Sequence, residues 1–378
     1  MDFTLTDDQT AIVELAARIL GDRCTPEALS QAEADGSRFD RGLWTLLSEA
    51  DLLGLCLPEA DGGGGYGVIE AALLCQEVGR TAAPVPLWST LCLGGLPLAR
   101  HGSDSLRASL LPEVAAGHLA LTAALVEDCS SLPPTRPTTT ATADGDGWRL
   151  AGTKHVVPTV HLATAGLGVR VLVPARTGEA STVFVVDPTA PGVTGERGTG
   201  TALEPLSTLA LDGALVAADA VVGEVDGGDE VVATITAVGT AGICARQAGT
   251  CDAALRLAAT YTSEREQFGT KIATFQAVAH RLADAYIDTE AIRLTATHAA
   301  WLLDEGRPAA EALAVAKVWA TEGAQRVVHG AQHVHGGIGV DSDYPLHRFF
   351  RAAKAAEHTL GTAHPHLGDL GSRLVGAA

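Results

Sequence analysis

The chain has 378 residues, 47% hydrophobic and 19% charged, which suits a globular protein of about two to three domains with a substantial core. Its net charge of −19 comes with no run of Lys and Arg, so counterion-releasing nucleic-acid binding and attraction to an anionic membrane are excluded. Seven scattered cysteines, none in a C-x-x-C pair or at zinc spacing with His, read as reduced thiols of a cytosolic protein.

Acidic residues occupy the N-terminal positions where a secretory leader would be basic. Thr6 followed by Gln9 is a capping-box helix start. Ile12, Val13, Leu15, Ala16, Ile19 and Leu20 continue it as an apolar stripe at helical spacing. Asp61–Gly67 (DGGGGYG) predicts a loop, and Val68–Arg80 a further helix. From about residue 120 the texture changes to short β-branched runs bounded by Gly, Asp and Pro, with DGDG at 144–147 as a hairpin signal. From Glu230 the chain returns to helix, with long segments over 243–262 and 275–303, a break at Gly306-Arg307-Pro308, and a further helix to about Gly330. No apolar run reaches the ~20 residues of a membrane span. The predicted fold is mainly α with a small β-domain: helices over 1–119, β-structure over 120–228 and a helical bundle over 229–378.

Two segments carry chemistry. Tyr261–Gln276 (YTSEREQFGTKIATFQ) joins a fixed cation, an aromatic ring, a glycine and a side-chain amide. Arg265 offers a planar donor fork suited to pyrophosphate, Phe268 a flat face for a ring, and Gly269 close backbone approach. His335–Gly339 (HGGIG) adds Gly336 and Gly337, with His335 framing the turn. Taken singly, Arg265 equally suits a surface ion pair with Glu264 or Glu266, and Phe268 a core position. Taken together, the set suits a nucleotide.

These motifs, with DFTLTDDQ, LGLCLPEADGGGGYG, DGDGWRLAGTK and YPLHRFFRAAK, resemble the acyl-CoA dehydrogenase family over nearly the whole chain. The resemblance implies an N-terminal helical domain, a middle β-barrel-like domain and a C-terminal four-helix bundle. It implies FAD, whose ADP part would be gripped across a dimer by Arg265, Phe268, Gln276, Gly336 and Gly337, with Thr362 matching the Thr of the family's E-G-T segment. One departure is His333 where the family has Gln, with a Gln at 332 instead.

The same resemblance exposes a gap. The family's reaction needs a carboxylate base for the α-proton while the β-hydrogen leaves as hydride. The positions matching the family's base hold Leu360, Gly239 and Arg246, none of which accepts a proton at working pH. The ring-facing Thr of T-E-P-G falls on Val126, within LVEDCSS, which keeps Glu127. The W-I-T element becomes Val156-Val157-Pro158, and Pro158 has no N–H to donate. Glu357, one helical turn before Leu360, is a candidate replacement, as are Asp341 and Asp343; each also suits an ordinary surface or ion-paired carboxylate. His358, His364 and His366 are not read as metal ligands because Pro365 breaks their spacing.

Losses on the chain's own ring side, with the lent ADP grip kept, resemble one subunit of the α2β2 acyl-CoA dehydrogenases of sterol side-chain breakdown. The expected partners are an acyl-CoA, a second acyl-CoA dehydrogenase-like subunit and an electron-transfer flavoprotein; the expected compartment is cytoplasmic. A homotetrameric enzyme with a non-standard base and a non-enzymatic scaffold of the same fold stand as alternatives. The Ala- and Gly-rich stretch 234–249 suits either a roomy cleft or tight packing.

Overall fold

A computed structural model describes residues 3–127 and 132–376. Cys129 and the rest of the LVEDCSS stretch after Glu127 lie outside the described residues. Six helices come first: α1 (Asp7–Arg23), α2 (Pro26–Ala34), α3 (Arg41–Glu49), α4 (Val68–Thr81), α5 (Leu96–His101) and α6 (Asp104–Ala115). The capping box of α1 forms as predicted, Thr6 and Gln9 each accepting the other's backbone N–H. A buried π-helical segment, Ser89–Gly95, leads directly into α5.

The β-rich stretch contributes β1 (Leu119–Ala123), β2 (Thr140–Asp144), β3 (Gly147–Pro158), β4 (Gly168–Thr177), β5 (Ala180–Val186), β6 (Val193–Thr199), β7 (Pro205–Ala217) and β8 (Val221–Val222). They form an eight-stranded sheet in the order β6-β7-β3-β2-β4-β5-β8, with β1 added parallel to β4. The DGDG signal is the β2–β3 hairpin, Asp144 pairing with Gly147. Trp148 and Phe184 pack with ring centroids 5.5 Å apart.

Helices return with α7 (Gly228–Glu264), a short hairpin of β9 (Glu266–Gln267) and β10 (Thr270–Lys271), and α8 (Gln276–Asp304). Then come α9 (Ala310–Val318), α10 (Ala324–His335), α11 (Leu346–His358) and α12 (Ala363–Gly376), with a π-helical turn, Trp319–Gly323, joining α9 to α10. By length and composition α7 alone among the described helices could cross a membrane, and two-thirds of its most apolar stretch (67%) is buried in the protein.

The chain divides into two compact units that do not follow chain order. One comprises residues up to 30, 72–83 and from 240 on; the other comprises 31–71 and 84–239. The first has a core of Leu29, Ala82, Ala254, Ala258, Val328, Leu346 and Ala353. There α4 and α7 cross at backbone contact. A Cβ on Gly249 would stand 1.8 Å from the Gln76 carbonyl oxygen, and one on Gly79 would stand 1.9 Å from that of Arg246. Gly249 therefore serves tight packing, which settles the end of the small-residue stretch in favour of a helix crossing.

Candidate functional site

After α7 the chain reverses through the β9–β10 hairpin. Phe268 and Gly269 at its tip both have left-handed backbones, φ 57° and 78°. That geometry matches a two-residue hairpin turn, which glycine adopts freely and phenylalanine only under strain. Phe268 is 94% exposed, so its ring is no part of a core. Lys271 closes the hairpin, with Nζ 2.7 Å from the Glu266 carboxylate and donating to the Glu264 carbonyl at 2.9 Å. Glu266 is thus engaged by Lys271, and among the described residues the exposed Arg265 guanidinium has no ion-pair partner. Gln276 is exposed and opens α8.

The HGGIG element is tied to the end of α7 by aromatic contacts. His335 stacks on Tyr261 with centroids 4.5 Å apart. Its Nδ1–H donates to the Ala331 carbonyl at 2.7 Å, so its Nε2 accepts from the Tyr344 hydroxyl at 2.9 Å. Burial lowers the His335 pKa, keeping the ring neutral in this role. His335 does frame the turn, and the two sequence motifs touch through Tyr261. Gly336 has φ 64°, and a Cβ on either Gly336 or Gly337 would meet nothing within 4 Å. Nothing in the chain itself crowds Gly337, so its bare backbone leaves room for a ligand or a neighbour.

Thr362 stands in a different turn, between α11 and α12. Leu360, two residues earlier, is buried with a left-handed backbone, φ 55°, and its carbonyl accepts from His366 Nε2–H at 2.9 Å. Gly239 is buried and its carbonyl accepts from the Trp88 indole at 3.0 Å. Arg246 is half-buried within α7. Glu357 accepts from Gln325 Nε2 at 2.6 Å and from Lys354 Nζ at 3.2 Å, the geometry of an engaged structural carboxylate. Asp341 is exposed and caps its own turn by accepting from the Asp343 amide at 3.0 Å. Among the described residues no group of three or more His, Cys, Asp or Glu side chains converges as a metal site.

In the β-rich unit the Val126 carbonyl accepts from the His155 amide at 2.9 Å. Val156 then leaves the β3–β7 ladder at a register shift, with φ 56° and 54% exposure. A β-branched residue in this region is a backbone outlier. Beside it lies a feature sequence reasoning missed. Lys154, fully buried, donates to Glu127 Oε1 at 2.6 Å. The same carboxylate accepts from the amides and hydroxyls of Thr138 and Thr139 at 2.6 to 3.0 Å. Burial alone would raise the Glu127 pKa, but hydrogen bonds from Lys154 and Thr139, with the Lys154 charge, hold it at about 2. Sequence offered only the retained Glu127; nothing local marks Lys154 as buried.

A cation without an ion pair among the described residues, an exposed ring and open glycine backbone are groups that suit a nucleotide. The chain matches the models described as "Acyl-CoA dehydrogenase, N-terminal domain" over residues 6–118 and "Acyl-CoA dehydrogenase, C-terminal domain" over residues 226–375. It belongs to the acyl-CoA dehydrogenase family. It is 37% identical to acyl-CoA dehydrogenase FadE27 of Mycobacterium tuberculosis, over 99% of each chain. Among solved structures it is similar to a variant of the Tcur3481-Tcur3483 steroid ACAD (40% identity, TM-score 0.90, 99% of each chain). It is also similar to the ChsE4-ChsE5 complex from Mycobacterium tuberculosis (37% identity, TM-score 0.91, 99% of each chain). Butyryl-CoA dehydrogenase from Megasphaera elsdenii matches at 26% identity and TM-score 0.91, over 99% of this chain and 100% of that one. The family consists of flavin-dependent oxidoreductases that dehydrogenate acyl-CoA thioesters.

Proposed function

We propose that this chain is the base-lacking subunit of a heteromeric acyl-CoA dehydrogenase. It lends Arg265, Phe268, Gln276, Gly336 and Gly337 to the ADP part of an FAD seated in a partner subunit, and Thr362 matches the threonine of the family's E-G-T segment. The observation that carries the reading is a contrast. A built, strained hairpin projects Phe268 beside an Arg265 without an ion pair, while the family's base position holds the buried aliphatic Leu360. Bound FAD supplies the hydride acceptor. This chain's residues grip it, and the α-proton is taken by the partner's base.

The chain's similarity to a steroid ACAD and to a two-component complex supports a bulky ring-bearing acyl-CoA and a heteromeric assembly, for which a heterotetramer is the proposed form. An electron-transfer flavoprotein as acceptor follows from the family alone. The six described cysteines are all free, which supports a reducing, cytoplasmic setting. A homotetramer using Glu357 as base is disfavoured by the two hydrogen bonds that carboxylate already accepts.

The test is to purify the chain alone and together with an acyl-CoA dehydrogenase-like chain encoded beside it, recording the flavin spectrum and acyl-CoA turnover. A yellow, active protein from this chain alone rules the reading out. No flavin even in the complex favours a non-enzymatic scaffold.

A further inference from the structure

The turn that carries Gly336 and Gly337 has little packing of its own. It is a short 3₁₀ helix, Gly336–Val340, directly after α10. A Cβ on Gly336 or Gly337 would meet nothing within 4 Å, and Ile338 and Val340 are exposed. Within it only Gly339 is buried. A glycine-rich turn left to itself loses much backbone freedom when it grips a ligand. What fixes this one lies at its two ends.

One cluster of rings holds both ends. His335 closes α10, and Tyr344 stands just before α11. Their ring centroids are 5.1 Å apart. Tyr261 of α7 meets both, stacked on His335 at 4.5 Å and edge-on to Tyr344 at 6.4 Å. Polar atoms set the orientation. His335 Nδ1–H donates to the Ala331 carbonyl, which leaves Nε2 to accept from the Tyr344 hydroxyl. Burial lowers the His335 pKa and raises that of Tyr344, so both are neutral near pH 7 and the bond keeps its direction. Tyr344 also packs against the core residues Ala254, Ala258, Leu346 and Phe349, which anchors the cluster. On its other side the cluster leads to the cation. The Tyr261 carbonyl accepts from the Arg265 amide at 2.8 Å, and the Arg265 carbonyl accepts from the Ile272 amide at 2.9 Å across the base of the hairpin. Plain packing would be served by phenylalanine at both ring positions, with no polar atom to desolvate. The hydrogen bond therefore fixes an angle rather than filling space.

We propose that His335 and Tyr344 are positioning residues of the nucleotide grip: with Tyr261 they hold the Gly336–Gly337 backbone in register with Arg265. This rests on the reading that both segments grip the ADP part of an FAD. The cluster keeps the free turn in its binding geometry. Its loss lowers the fraction of competent chains and, in proportion, the affinity.

Tyr344→Phe tests this by removing one oxygen and keeping the rings. FAD titration of the two-chain complex is expected to show about tenfold weaker binding, with turnover restored to wild type at saturating FAD. Amide hydrogen exchange on the complex without FAD should show residues 336–341 opening about tenfold faster. The β9–β10 hairpin, closed by Lys271, should be unchanged. Nitrogen NMR of the histidine-labelled full chain should place the His335 proton on Nδ1 in the wild type and on both nitrogens in Tyr344→Phe. A wild-type proton on Nε2 overturns the proposal without any variant. Unchanged affinity in Tyr344→Phe, while Arg265→Ala binds more weakly, overturns the positioning role and leaves the flavin reading standing. Turnover that stays low in Tyr344→Phe at saturating FAD also overturns it, because mass action overcomes a loss of positioning alone. If Tyr344→Phe and Arg265→Ala both bind FAD normally, the flavin reading fails and the proposal falls with it.

Discussion

Glu127→Gln removes one charge from the most completely bonded carboxylate described in the β-rich unit. In the wild type, five hydrogen bonds from Lys154, Thr138 and Thr139 hold its pKa at about 2 against an ordinary 4.5. That difference corresponds to about 3 kcal/mol of stability at neutral pH. The substitution also strands the fully buried Lys154 ammonium, a loss of about 3–5 kcal/mol when a buried pair is broken. The two estimates describe one interaction and agree near 3 kcal/mol, which corresponds to a Tm about 6–12 °C lower. Because the folded pKa is depressed, the stabilisation is complete above pH 4.5 and is lost as pH falls toward 2. Urea unfolding followed by tryptophan fluorescence should therefore show the wild type losing its advantage over Glu127→Gln between pH 5 and pH 2. The double variant Glu127→Gln/Lys154→Met should recover most of the loss, since no charge is left stranded. Unfolding of Glu127→Gln indistinguishable from wild type at pH 7, or a double variant as unstable as the single, would refute the reasoning.

Arg265→Ala should leave the unfolding free energy of the isolated chain within about 0.5 kcal/mol of wild type, because no ion pair is lost. It should weaken FAD binding by the complex about 10- to 100-fold, measured by flavin fluorescence. Gly249→Ala places a methyl group 1.8 Å from the Gln76 carbonyl oxygen and should cost about 3 kcal/mol or more in denaturant unfolding. Lys317 is depressed from 10.5 to about 8, so the folded state bears the full desolvation cost below pH 8 and sheds it between pH 8 and 10.5. The wild type should accordingly gain about 3 kcal/mol relative to Lys317→Met over that window, read from thermal melts at each pH.

What the sequence made legible was local. The Thr6–Gln9 box, the DGDG hairpin, the break at Gly306 and the two long helices after residue 228 follow from caps, turn residues and apolar period, and each formed. The hairpin glycine and the paired glycines of HGGIG announced special backbone without stating its shape. What stayed hidden depends on contacts between distant residues. The parallel pairing of β1 with β4 joins positions some fifty residues apart. Burial of Lys154 and Lys317 depends on which charges find partners inside, and residue type argues against both. The left-handed Leu360 and Val156 contradict the preference of their own side chains, so only their surroundings could reveal them. At the proposed flavin grip, sequence left Arg265 and Phe268 open to bland alternatives. The structure removes those by giving Glu266 to Lys271 and exposing Phe268.

The flavin content of the chain, alone and in complex, tests the central claim most directly. By itself the chain should be colourless and inactive. The chain with its partner should carry one FAD per pair of chains, held about 10- to 100-fold more weakly when Arg265 is replaced by Ala in this subunit. A stoichiometric FAD bound to this chain alone, with acyl-CoA turnover, would contradict that claim.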